Sequence, residues 1–141
     1  MNSLNKTSLF YLFLSILPFY TEASSLFPLA DHDVSIINQK FSEQERVLSL
    51  RIKENQNDIS LYSKRGDARL FLGKFSDSRD DYEKMIQLNP RLNESHWRLG
   101  IAYFYLSDFN KAARQFEIYH NYDSVDRENG IWRFMSQYKE S

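Results

Sequence analysis

Apolar residues recur every three or four positions through most of this chain and run together without interruption only near its start. From residue 59 onward this spacing predicts four amphipathic helices arranged as two hairpins. The first pairs Ile59–Leu72 with Phe75–Leu88 across the turn Gly73-Lys74, and the second pairs Asn93–Leu106 with Phe109–Asn121 across Ser107-Asp108. Asn89-Pro90 separates the hairpins, since proline cannot continue a helix.

The hairpins are copies of one unit. A shift of 34 positions lays Gly66 on Gly100, Ala68 on Ala102, Phe75 on Phe109, Ser78 on Ala112 and Tyr82 on Phe116. Small residues at Gly66, Gly100, Ala68, Ala102 and Ala112 let antiparallel helices approach closely, and Phe75, Phe109, Tyr82 and Phe116 fill the space alongside. The same shift puts Phe41 before Phe75 and Leu48 before Tyr82, so Phe41–Asn55 reads as the second helix of a degenerate earlier unit, with Ser42 and Glu45 as a capping box. Arg127–Tyr138, apolar at Ile131, Phe134, Met135 and Tyr138, reads as a terminal capping helix. Stacking about three units is what buries a continuous face, so both flanking helices are expected to complete the core.

The uninterrupted apolar run is Leu9–Tyr20, broken only by Ser15 and preceded by Lys6. At about 12 residues, or roughly 18 Å as a helix, it falls short of a hydrocarbon core of about 30 Å. Pro18 and then Thr21-Glu22-Ala23 fit an export signal cleaved after Ala23, with an uncleaved N-terminal anchor as the alternative. The expected organisation is a signal at 1–23 and a mature extension at 24–37, extended at first and helical from Asp33. A repeat domain at 38–141 follows, with clear repeats at 59–92 and 93–126.

Composition narrows the chemistry. With 18 Lys plus Arg against 19 Asp plus Glu, no single-sign field exists to recruit nucleic acid. Scarce Gly (4) and Pro (3) beside 16% aromatic residues favour packed helices over turn-rich sheets, and the expected fold class is all-α. The absence of Cys excludes disulfides, thiolate metal sites and cysteine nucleophiles. His32, His96 and His120 are spaced to no carboxylate or serine as a dyad or triad, and there is no glycine-rich phosphate loop. Neither catalysis nor a cofactor is expected. Asp31-His32-Asp33 cannot converge well on one ion, so no metal is expected either. Asp77, Asp80, Asp81 and Glu83, interleaved with Arg79 and Lys84, read as a solvated face with local ion pairs. Asn93-Glu94-Ser95 is an N-glycosylation sequon.

The spacing resembles the tetratricopeptide repeat, through Leu99-Gly100, Ala112 and Phe116 in the second unit and Gly66, Tyr82 and Pro90 in the first. Tyr62 and His96 occupy the family's tryptophan position, and Arg65 replaces the apolar residue before the first glycine. The first repeat is therefore the weaker match. The resemblance, which extends to bacterial envelope repeat proteins, implies a right-handed array of antiparallel hairpins with a concave groove lined by the first helix of each unit. Ser60, Ser63, Lys64, Asp67, Leu70 and Phe71 would face it from one repeat, and Glu94, Trp97, Arg98, Ile101, Phe104 and Tyr105 from the next. Co-chaperone members hold a peptide's terminal carboxylate with Lys and Asn where this chain has Ser63 and Asp67, then Trp97 and Ile101, so that clamp is not expected. The candidate binding set is Lys64, Asp67, Phe71, Trp97, Arg98, Ile101, Phe104 and Tyr105, because Trp, Tyr and Arg carry much of the energy at protein interfaces. The resulting expectation is an exported, non-catalytic module binding a protein or peptide, without stable membrane insertion after signal cleavage. The alternative buries the aromatic face in a homo-oligomer, and an equally weighted reading has Trp97 and Phe104 simply packing on Trp132 and its capping helix.

Overall fold

Each glycine of the predicted pairs lies against the aromatic ring assigned to it. A Cβ on Gly66 would meet the Tyr82 ring at 2.6 Å, and one on Gly100 would meet the Phe116 ring at 2.8 Å. Two hairpins are thus locked by the same small-against-large device, 34 residues apart. In this computed structural model, which describes residues 31–140, the chain forms α1 (Asp31–Glu54), α2 (Ile59–Phe71), α3 (Phe75–Leu88), α4 (Trp97–Tyr105), α5 (Phe109–Tyr122) and α6 (Arg127–Glu140). A 3-10 turn, Pro90–Ser95, precedes α4. Successive helices pack in pairs along the chain, giving an all-α tetratricopeptide-like array among the described residues. The export signal at 1–23 and the first part of the extension at 24–37 lie outside the described residues.

Local chemistry sets the boundaries. Asp58 caps α2 by accepting from the Ser60 N–H at 2.9 Å, and Asp108 caps α5 by accepting from the Lys111 N–H at 3.3 Å. Both hairpins turn through one left-handed residue, Gly73 (φ 71°) in the first and Ser107 (φ 63°) in the second. The residue after each closes the same return bond, from Lys74 N to Arg69 O at 2.8 Å and from Asp108 N to Tyr103 O at 3.0 Å.

Three local expectations need correction. α1 runs unbroken through Ser42, so Ser42 and Glu45 form no capping box; Glu45 reaches across to Arg69 instead, at 3.0 Å. α4 starts at Trp97 rather than Asn93, because Pro90 opens a 3-10 turn capped by Asn89. Gln115 Nε2 then donates to the Asn93 and His96 carbonyls at 2.9 and 3.3 Å, which satisfies this non-helical stretch. Asp81 is buried rather than solvated: its side chain is 3% exposed and accepts from Arg65 at 2.6 Å and Arg69 at 2.9 Å. Arg65 also donates to Ser49 at 3.1 Å, so this network joins α1, α2 and α3.

The apolar core runs through all six helices, from Leu48 and Ile52 of α1 past Leu61, Tyr82, Met85, Leu99 and Phe116 to Trp132 of α6. The flanking helices thus supply apolar residues at each end. An aromatic stack recurs between neighbouring units: Phe41 on Phe71 at 4.8 Å, then Phe75 on Tyr105 at 4.5 Å, one repeat later.

Candidate functional site

The first helices of successive units, α2, α4 and α6, share one side of the array. Asp67 of α2 faces Arg98 of α4 at 3.6 Å, while Phe104 and Tyr105 of α4 meet Trp132 of α6 edge-on at 5.2 and 6.2 Å. This side holds the residues assigned to the groove, in three different situations.

Lys64, Asp67, Trp97 and Arg98 form its polar and accessible part. Lys64 is exposed and makes no ion pair among the described residues. Asp67 accepts from the Tyr82 hydroxyl at 2.7 Å while facing Arg98. Burial first, and then the Asp67 carboxylate, hold the Tyr82 phenol proton well above its ordinary range. The Arg98 guanidinium lies over the Trp97 ring, 4.7 Å from its centre, with 44% of its side chain exposed. Trp97 itself is half-buried and has no ring contact with Trp132.

Phe71, Phe104 and Tyr105 have structural partners of their own. Phe71 stacks on Phe41 yet remains 53% exposed. Phe104 is held by Phe109 and Trp132, and Tyr105 by Phe75 and Trp132. The Tyr105 hydroxyl is buried without a hydrogen-bond partner among the described residues, and burial raises its pKa. Packing on Trp132 therefore accounts for Phe104 and Tyr105, but not for Trp97.

Ile101 is fully buried and lies beneath the surface that the other residues line. Helical spacing placed it on the inner stripe; the neighbouring helices close over it.

Sequence reasoning missed His96 as a participant in this layer. It sits against Tyr82, ring centres 4.4 Å apart, with Nε2 buried and without a hydrogen-bond partner among the described residues. Burial pushes its pKa down to about 4, so the imidazole is neutral at physiological pH. Among the described residues no cluster of His, Cys, Asp and Glu could hold a metal ion, and no helix is long and apolar enough to cross a membrane. A shallow depression of about 290 Å³, lined by Asn93, Tyr103, Lys111, Arg114, Gln115 and Ile118, shares no residue with the groove.

With that geometry established, likeness to other proteins can be weighed. No family model matches the chain. It is 30% identical over 101 residues, 70% of its length, to Hsp70-Hsp90 organizing protein 3 of Arabidopsis thaliana. It is 28% identical over 116 residues to Hsp70-Hsp90 organizing protein of Triticum aestivum, covering 77% of the chain. It is 27% identical over 96 residues to heat shock protein STI1 of Saccharomyces cerevisiae, covering 68% of the chain. These similarities support the tetratricopeptide reading. The matched region spans only 18%, 20% and 15% of those three relatives, so it corresponds to one module within much longer proteins. The relatives are plant and yeast proteins and lend no support to a special likeness to bacterial envelope members.

Proposed function

We propose that this chain is a non-enzymatic protein-binding module that holds a peptide segment of its partner against α2 and α4. The observation that carries the reading is the Trp97–Arg98 pair. A half-buried tryptophan with a guanidinium stacked on it offers a large, rotamer-poor contact surface beside a directional donor, the combination enriched at interface anchors. Exposed Lys64 and the open face of Phe71 extend the surface along α2. A peptide with one apolar anchor for Trp97 and an acidic group for Arg98 and Lys64 fits this chemistry. Ile101 supports the surface from below rather than touching the peptide.

Similarity to proteins named as organisers of Hsp70 and Hsp90 agrees with an adaptor role. Ser63, Asp67, Trp97 and Ile101 stand where a terminal-carboxylate clamp would need Lys and Asn, and Asp67 would repel that carboxylate. The proposed mode is therefore recognition of an internal segment. The aromatic ladder Phe75–Tyr105–Trp132 has partners within the chain, which argues against burying it in a homo-oligomer.

Peptides selected from a random library on the full chain, followed by chemical-shift mapping of the bound complex, test the site. Perturbations centred on Lys64, Trp97 and Arg98 are expected, and a map confined to α3 and α5 would rule the groove out. The proposed setting is extracytoplasmic, after removal of residues 1–23. The alternative retains them as an anchor, and mass spectrometry of the mature N-terminus distinguishes the two.

A further inference from the structure

α6 carries a second apolar face on the side turned away from the core. Asn129, Trp132 and Ser136 point into the core, while Ile131, Phe134 and Tyr138 on the opposite side are 42%, 68% and 72% exposed. Phe134 and Tyr138 stack on one another, ring centres 6.4 Å apart, so the stripe is an ordered apolar surface. Gly130 lies beside it, one turn before Phe134. A glycine inside a helix costs about 1 kcal/mol relative to alanine and is retained where something must come close. Gly66 and Gly100 each have an aromatic ring within 2.9 Å of the position a Cβ would take. Gly130 has nothing within 4 Å among the described residues.

We infer that this face pairs with the same face of a second copy, α6 antiparallel to α6 across a two-fold axis near Phe134. Charge selects this occupant. Glu128 and Lys139 lie on the same flank of the stripe and form no ion pair among the described residues. Antiparallel helices bring like flanks together, so a crossing near Phe134 sets Glu128 against the second copy's Lys139, and the symmetry operation repeats the pair. The same crossing lays Gly130 beside the second copy's Gln137 and Tyr138, renewing the glycine-against-aromatic contact that closes both hairpins. An isologous interface of this kind closes on itself and stops at the dimer. It uses a helix face opposite the one that contacts α4 and leaves Trp97 and Arg98 accessible, so it is independent of the peptide groove and would make the module bivalent.

Sedimentation equilibrium of the full chain, with circular dichroism in parallel, tests the pairing. The wild type is expected to dimerise at micromolar concentration and Phe134→Asp to be monomeric. Glu128→Lys should weaken association roughly tenfold by placing like charges opposite each other twice, and adding Lys139→Glu should restore it. Gly130→Gln should weaken the dimer while melting no lower than wild type, because glutamine is the better helix former and meets no neighbour among the described residues. A wild-type monomer at every concentration would overturn the inference. So would a dimer indifferent to the charge swap, or one that survives Phe134→Asp in a folded chain.

Discussion

The two hairpins share a backbone plan and fill it with opposite chemistry. Where the first has Arg65, Asp67, Arg69, Asp81 and Tyr82, the second has Leu99, Ile101, Tyr103, Gln115 and Phe116 at the same register. In the first, a carboxylate at Asp81 is shared by two arginines and a fourth charge, at Asp67, accepts from the Tyr82 hydroxyl. In the second, Ile101 and Phe116 hold the equivalent positions without a polar side-chain atom, and both are fully buried. What the repeat conserves is the close approach at Gly66 and Gly100 and the left-handed turn, which are backbone requirements. How the remaining space is filled is free, provided that each polar group finds a partner.

The sharpest way to break the comparison is to attack what the hairpins share. Gly100→Leu should unfold the chain or destabilise it by several kcal/mol, since the Phe116 ring already occupies the space and has no exposed route of escape. Thermal melting checks this; a melting temperature at or above wild type would mean that α4 and α5 do not touch there.

Removing what differs should show the asymmetry. Asp81→Ala leaves Arg65 and Arg69 as nearly buried cations without their common partner, and should cost about 3 kcal/mol or more in urea unfolding. Gln115→Ala at the equivalent position frees only two neutral carbonyl acceptors and should cost about 1 kcal/mol. Replacing Arg65, Arg69 and Asp81 together with Leu, Tyr and Gln, as in the second hairpin, should cost less than Asp81→Ala alone.

These effects also show what the sequence could convey. The small-against-large pairs were legible because steric complementarity leaves a fixed residue type at a fixed period. The burial of Asp81 was not, because its partner Arg65 lies on another helix and both residue types are normally solvated. Local charge pairing of the kind expected there does occur, but at Arg79 and Asp80. The start of α1 was misplaced because Ser42 and Glu45 satisfy a local capping rule, whereas upstream residues continue the same helix. In the groove, helical spacing found the stripe but could not tell that Ile101 would be roofed over while Trp97 stayed clear of Trp132.

pH separates the hairpins by a smaller margin. His96 stands where the first repeat has Tyr62. Its pKa falls from an ordinary 6.5 in the unfolded chain to about 4 in the fold. Between those values the unfolded chain holds the extra proton, so stability is complete above about pH 6.5 and declines as pH falls toward 4, by roughly 1–3 kcal/mol. Glu45 titrates in a lower window. Burial alone would raise its pKa, but the hydrogen bonds from Lys74 and Arg69 outweigh it and hold the carboxyl below its ordinary 4.5. His96→Tyr should flatten the pH 6.5–4.5 portion of the stability curve alone, read from denaturant midpoints at each pH.

The smallest difference lies in the turns. Ser107 adopts a φ that Gly73 adopts without strain, so Ser107→Gly should raise stability by about 0.5 kcal/mol and Gly73→Ser should lower it by a similar amount. Equal and opposite shifts in melting temperature would show that the turns are interchangeable.

The claim that the groove binds rests on Trp97, and titration calorimetry of a library-selected peptide against the wild type and Trp97→Ala addresses it most directly. Affinity should fall by about 2 kcal/mol or more, near thirtyfold, while the melting curve stays close to wild type. A variant that melts early, yet whose folded fraction binds the peptide as tightly as wild type, would make Trp97 a packing residue and contradict the account.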